Sequence, residues 1–192
     1  EALRAIQVEY EEFPFVLDAE EAMKPGAPQL HEEYPNNILA HTSIYKGDYD
    51  AAIKEPGLIR VEGWYDTPTV QHCHIENHIC FAEMEGGRIV ITSSTQIPHI
   101  VRRIVGQALG IPWGSVRVIK PYIGGGFGNK QDVVLEPIVA FLTMKLDGAP
   151  VSMELTREEC MLCTRVRHAF AMTARAGATK DGKLLGYGLD VL

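Results

Sequence analysis

The 192 residues suffice for one sizeable core, or for one domain and a piece of another. The formal charge of −7 comes without any block of like charge, so the basic patch of a nucleic-acid binder is missing. No apolar run reaches the roughly 18 residues of a membrane span and no signal peptide opens the sequence, which leaves no membrane role to expect.

The sequence begins at Glu1, without methionine, and ends at Leu192 inside strand-like sequence, so it reads as a fragment of a longer polypeptide. Ala5 to Val8 alternates weakly and predicts a short strand. Val16 to Ala22 predicts a short helix, with Asp18 as N-cap and Glu21 three residues on. Pro25-Gly26-Ala27-Pro28 stops it. Gln29 to Asn37 is polar and reads as an extended connector. Asp48 to Glu55 predicts another short helix, and Leu58 to Tyr65 a strand. Phe81–Glu85 and Arg88–Ser93 predict a hairpin turning at Gly86-Gly87.

Ile97, Ile100, Val101, Ile104, Val105 and Ala108 recur at helical spacing, with Arg102, Arg103 and Gln107 on the opposite face. Gly110 and Pro112 end that helix. Val116 to Tyr122 predicts a strand. Val133 to Leu146 is apolar nearly all round and predicts a buried helix, in which Pro137 marks the first turn or a kink. Val151–Leu155 predicts a strand, and Thr156 to Glu159 opens a helix with a capping box. Ala169–Gly177 and Leu184–Val191 predict a final hairpin. The fold class is α+β.

Four cysteines, Cys73, Cys80, Cys160 and Cys163, lack the paired spacing of a zinc site and read as unligated thiols in a reduced, cytoplasmic setting. His72, His74 and His78 alternate but have no carboxylate or thiol partner at matching spacing, so they read as core or surface histidines, with no metal bound by side chains.

Between the last two central elements lies Ile123-Gly124-Gly125-Gly126-Phe127-Gly128-Asn129-Lys130. Such a loop lets backbone N–H groups approach a ligand with no Cβ in the way, and a helix directly behind it would add a positive end. It is not a P-loop, because Gln131 rather than Ser or Thr follows Lys130. It is not the dinucleotide fingerprint, because Asn129 stands where the third glycine belongs. Read alone, the loop is a tight turn or a binding loop in equal measure.

Three segments in order resemble one family. Thr95-Gln96 stands between a strand and a helix, Gly124 to Lys130 follows, and Arg167-His168 comes after the next strand. With the His72–His78 region and the segment Val8 to Pro14, they resemble the molybdenum-binding large subunit of the xanthine dehydrogenase and aldehyde oxidase family. The resemblance implies the end of an α/β hammerhead domain over 1–25 with its connector, an extended linker over 26–57, and the first part of a molybdopterin-binding α+β domain over 58–192. It implies hydroxylation of a purine-like aromatic heterocycle, of xanthine or hypoxanthine type, or of an aldehyde, with oxygen from water.

The cofactor implied is a molybdenum pterin, as molybdopterin or its cytosine dinucleotide form. Iron–sulfur and FAD centres would lie on other subunits or segments. In the family, the Gln at Gln96 donates to an oxo group on molybdenum, and the residues at Gly125, Gly126, Phe127 and Gly128 lie against the cofactor. Gln131 stands where many xanthine oxidisers carry a purine-contacting Glu, so it and Glu76 are the substrate candidates, Glu76 being equally a turn cap. The general-base Glu is expected beyond Leu192, which predicts that the fragment alone is inactive. The rivals are a non-catalytic binding or assembly module holding no molybdenum, and a nucleotide-phosphate domain. The rest of the subunit, the electron-transfer subunits and a homo-oligomer are the expected partners.

Overall fold

A computed structural model describes residues 2–192. The chain divides into two compact units: the segment up to Asp66 together with Phe170–Leu192, and Thr67–Ala169. No helix among the described residues is long and apolar enough to cross a membrane.

In the first unit, helix α1 (Ala2–Ala5) precedes irregular chain, so the strand expected over 5–8 does not form. Its alternation was weak, and no neighbouring strand pairs with it. Helix α2 (Ala19–Ala22) is capped as read: Asp18 accepts the Glu21 N–H at 2.8 Å. The connector behind it is folded rather than extended. Asn37 donates to the carbonyls of Ala22 and Pro28 and accepts the Leu30 N–H, tying three points of one loop. Helix α3 (Tyr49–Lys54), capped by Asp48, and strand β1 (Ile59–Thr67) follow. In this unit β1 joins a sheet of order β1-β6-β7 with β6 (Phe170–Ala178) and β7 (Leu184–Val191). Glycines in these strands admit α3. A Cβ on Gly177 would fall 2.7 Å from Ile53, and one on Gly188 would fall 3.1 Å from Tyr49.

The second unit is a four-stranded sheet of order β4-β3-β2-β5, flanked by helices. Strands β2 (Ile79–Glu85) and β3 (Arg88–Ser93) form the expected hairpin, with positive φ at both Gly86 and Gly87. Helix α4 (Pro98–Leu109) crosses to β4 (Val116–Ile119), which lies parallel to β3 with Ile89 opposite Val116. This strand ends before Tyr122. Helix α5 (Glu136–Lys145) crosses back to β5 (Val151–Glu154), which pairs antiparallel with β2. Helix α6 (Arg157–Cys163) starts with the full Thr156–Glu159 capping box.

Cys80 and Ala82 of β2, Ile89 and Ile91 of β3, Val101 and Val105 of α4, and Val139 and Ala140 of α5 form one buried apolar cluster. Each such side chain fully buried is worth about 1.5–3 kcal/mol for the larger aliphatics. Two expectations fail here. Pro137 sits in the first turn of α5, so the helix starts at Glu136 rather than Val133. It is buried on one face only, since Ile138, Phe141 and Met144 are exposed.

Candidate functional site

The glycine loop joins β4 to a short 3₁₀ turn, Asn129–Gln131, and not directly to a helix. Helix α5 begins five residues after Gln131, so the helix-end argument for anion binding does not apply. The loop's shape comes instead from its backbone. Gly125, Phe127 and Gly128 all have positive φ, at 98°, 52° and 94°. A phenylalanine there carries a steric cost of about 1–2 kcal/mol. The fold accepts it and thereby turns the Phe127 ring outward, where it is 72% exposed.

Gln96 is delivered by Thr95, whose buried hydroxyl accepts the Ile97 N–H at 3.1 Å as the chain leaves β3 and enters α4. The Gln96 backbone N–H donates to the Lys130 carbonyl at 2.9 Å. Its side-chain Oε1 accepts the Gly128 N–H at 3.0 Å. That bond fixes which end of the amide is which. Among the described residues nothing accepts a hydrogen bond from Nε2, so a donor is left beside the loop. A Cβ on Gly126 would fall 2.5 Å from Gln96 Oε1, which is why glycine is required at this close approach.

Under the loop lies a buried polar nest. Lys130 is 1% exposed and its ammonium donates to Glu76 Oε2 at 2.5 Å. The same oxygen accepts the Gly124 N–H at 3.1 Å, and the Glu76 N–H donates to the Gly124 carbonyl. Asn129, fully buried, donates to Gln71 Oε1 and to the Arg165 carbonyl. Arg157 donates to the carbonyls of His74 and Ile75, and the His74 Nδ1–H bonds the Glu76 carbonyl. Arg167 pairs through its backbone with Val70, so Arg167-His168 closes an edge rather than entering the nest.

The electrostatics follow from this packing. Burial alone would raise the Glu76 carboxyl, but the Lys130 ammonium and the Gly124 N–H outweigh it and hold the group below its usual range. Burial, reinforced by the charges of His74 and Lys130, pushes His78 down to about 4. Thus Glu76 is an anion and His78 a neutral imidazole near pH 7. Cys160, buried on α6, contacts His78 Nδ1 at 3.7 Å. Among the described residues no group of three or more His, Cys, Asp or Glu is arranged to hold a metal.

The structure thus brings together Gln96, Gly124 to Gly128 and Glu76. Gln131 lies next to them, exposed, at the end of the 3₁₀ turn. Lys130, Asn129 and Arg157 were assigned no role from the sequence, while His74, read as a core or surface histidine, is buried. Asn129 and Lys130 stood in the quoted motif without a role of their own, and their partners lie 58 and 54 positions away.

An exposed aromatic, a backbone stripped of Cβ atoms and a neutral amide donor suit an oxygen-rich, anionic ligand. A buried cation in place of Gln96 would carry a larger desolvation cost. The fold and loop therefore define a ligand-binding α+β domain. The chain belongs to the molybdopterin cofactor-binding domain family, whose model matches residues 30–192. It is 50% identical over its whole length to the xanthine dehydrogenase molybdenum-binding subunit of Escherichia coli O157:H7, covering 25% of that protein. Over 96% of its length it is 37% identical to the nicotinate dehydrogenase large molybdopterin subunit of Eubacterium barkeri, covering 43% of it. Quinoline 2-oxidoreductase from Pseudomonas putida 86 superposes with a TM-score of 0.87 at 27% identity, over 99% of this chain and 24% of that one. The chain thus spans a quarter to under half of these relatives. The family resemblance drawn from Gln96, the glycine loop and Arg167-His168 is borne out. The nest residues also fit the cofactor, because they hold the loop while leaving Gln96 Nε2 and the Phe127 face open.

Proposed function

We propose that this chain is the cofactor-facing part of a molybdenum hydroxylase, and that the whole subunit oxidises a purine-like aromatic heterocycle of xanthine or hypoxanthine type. The observation that carries this reading is the orientation of Gln96. Its Oε1 is occupied by the Gly128 N–H, which leaves the Nε2 donor as the free end of the amide beside the loop. When bound, the molybdenum pterin supplies two-electron oxidation with oxygen drawn from water.

The chain's own residues bind and orient. Gln96 donates to an anionic oxygen of the cofactor, and Gly125, Gly126 and Gly128 let the backbone approach it. Phe127 presents an apolar face that excludes water. Gln131 meets the substrate by hydrogen bonding, without the charge of a carboxylate. Glu76 has Oε2 held by Lys130 and Gly124, and in this reading its Oε1 meets the substrate. The general base and the electron-transfer centres, iron–sulfur and FAD, belong to the rest of the subunit and its partners.

Support for the substrate class comes from the relatives. The xanthine enzyme, half identical to this chain, carries that support, since nicotinate, quinoline and carbon monoxide enzymes share the scaffold too. In the same reading, 1–25 ends a hammerhead domain, 26–57 links it to the cofactor domain of 58–192, and the enzyme is a cytoplasmic oligomer. The test is molybdenum content of the full-length parent protein, measured with xanthine and hypoxanthine turnover. Stoichiometric molybdenum with purine oxidation is expected. Molybdenum without purine turnover would move the substrate to another heterocycle or an aldehyde. Absence of molybdenum would overturn the reading in favour of an assembly module.

A further inference from the structure

Lys130 reaches both halves of the site at once. Its backbone carbonyl accepts the Gln96 N–H, at the root of the amide that orients the donor. Its ammonium, 1% exposed, reaches Glu76, whose carboxylate holds the entry of the loop through the Gly124 N–H. The Gly124 Cα leaves no room for slack, since a Cβ there would fall 2.7 Å from the Glu76 Cβ.

An ammonium is strongly disfavoured in such a place unless it is paired, and a well-packed apolar side chain would stabilise the fold as well or better. Stability is therefore a poor reason for a lysine here, whereas fixed geometry is a good one. Its ammonium fixes the Gly124 end of the loop by way of Glu76, and its backbone carbonyl fixes Gln96, which holds the Gly128 end. Without the clamp, the loop is free to shift on its glycines and Gln96 Nε2 loses its aim.

We propose that Lys130 is a positioning residue that, through Glu76, clamps the glycine loop against Gln96 and so holds the Gln96 donor toward the cofactor. The catalytic part of this rests on the reading of Gln96 above; the clamp itself does not. The experiment uses the full-length parent enzyme with Lys130→Met, Glu76→Gln and the pair combined. The readouts are amide hydrogen exchange over residues 122–132, molybdenum content, and kcat separately from KM.

The single variants are expected to exchange about tenfold faster at Gly124 and Gly128, with β2 and β3 unchanged. Molybdenum content stays near that of the parent while kcat falls about tenfold or more and KM moves little. The double variant is expected to be no worse than either single one, because the two charges act as a unit. Unchanged loop exchange in Lys130→Met overturns the proposal. So does an increase spread equally over β2 and β3, which would mean a merely structural lysine. Should Lys130→Met fail to fold, Glu76→Gln, whose side chain is 32% exposed, carries the exchange test. A parent without molybdenum would sink the functional reading but leave the exchange result to decide the clamp.

Discussion

The second unit contains two interiors of opposite character. Between the sheet and helices α4 and α5 lies an apolar interior made of Ile89, Ile91, Val101, Val105, Val139 and their neighbours. Under the glycine loop lies a polar one made of Lys130, Asn129, His74 and Glu76. The first is non-directional, held together by area removed from water. The second is directional, and each group matters because an unpaired member would be left without water or partner. Shape tolerates small errors in the first, while the second sets where Gln96 points.

The sharpest way to test this contrast is to damage each interior alone. Ile91→Ala, at a site with no exposure, is expected to destabilise by roughly 4 kcal/mol, read from urea unfolding. Its effect on the molybdenum centre of the stable fraction should be small. Gly126→Ala should do the reverse. The added methyl meets the end of the flexible Gln96 side chain, so the fold survives but the amide is displaced. A fall in kcat of roughly 100-fold at near-parent stability is expected in the full-length enzyme.

The third test titrates the polar interior. His78 has a folded pKa of about 4 against an unfolded value of about 6.5. Between these values the unfolded chain binds more protons, so stability is intact above pH 6.5 and falls as pH drops toward 4. A loss of about 2–3 kcal/mol by pH 4.5 is expected from unfolding at a series of pH values, and His78→Gln should flatten it. Glu76 adds a second loss: its depressed pKa means that its contribution is present above about 4.5 and lost as pH falls below. The smallest effect belongs to Thr156→Ala, which removes an exposed cap of α6 and should cost about 1 kcal/mol while leaving both interiors intact. An effect on kcat from that change would blur the comparison.

The apolar interior was legible because it is periodic. Ile97 to Ala108 announced α4, and Gly86-Gly87 announced the hairpin that carries Cys80, Ala82, Ile89 and Ile91. Caps at Asp18 and Thr156 were equally local and held. The polar interior has no period. Lys130 meets Glu76, and Asn129 meets Gln71 and Arg165, only once the fold is complete. Gln96 and the glycine loop were found through their order along the chain, whereas the residues that hold them were not. The exposed face of α5 misled for a related reason: composition gives the apolarity of Ile138, Phe141 and Met144 but not which surface they meet.

Strand order also sets a sequence of events in time. Strands β2 and β3 are joined by two glycines and zip within microseconds, as hairpins do. Strand β5, whose Glu154 pairs with Ile79, must wait until β3, α4, β4 and α5 have been laid down between them. Arg157 and Arg165, which bind the 74–75 backbone and Asn129, come later still along the chain. The polar nest beneath the glycine loop therefore cannot be complete before the end of this unit has been laid down. On a ribosome it becomes complete only after Arg165 has emerged, so a nascent chain halted earlier would hold its hairpin and lack the support that sets the glycine loop.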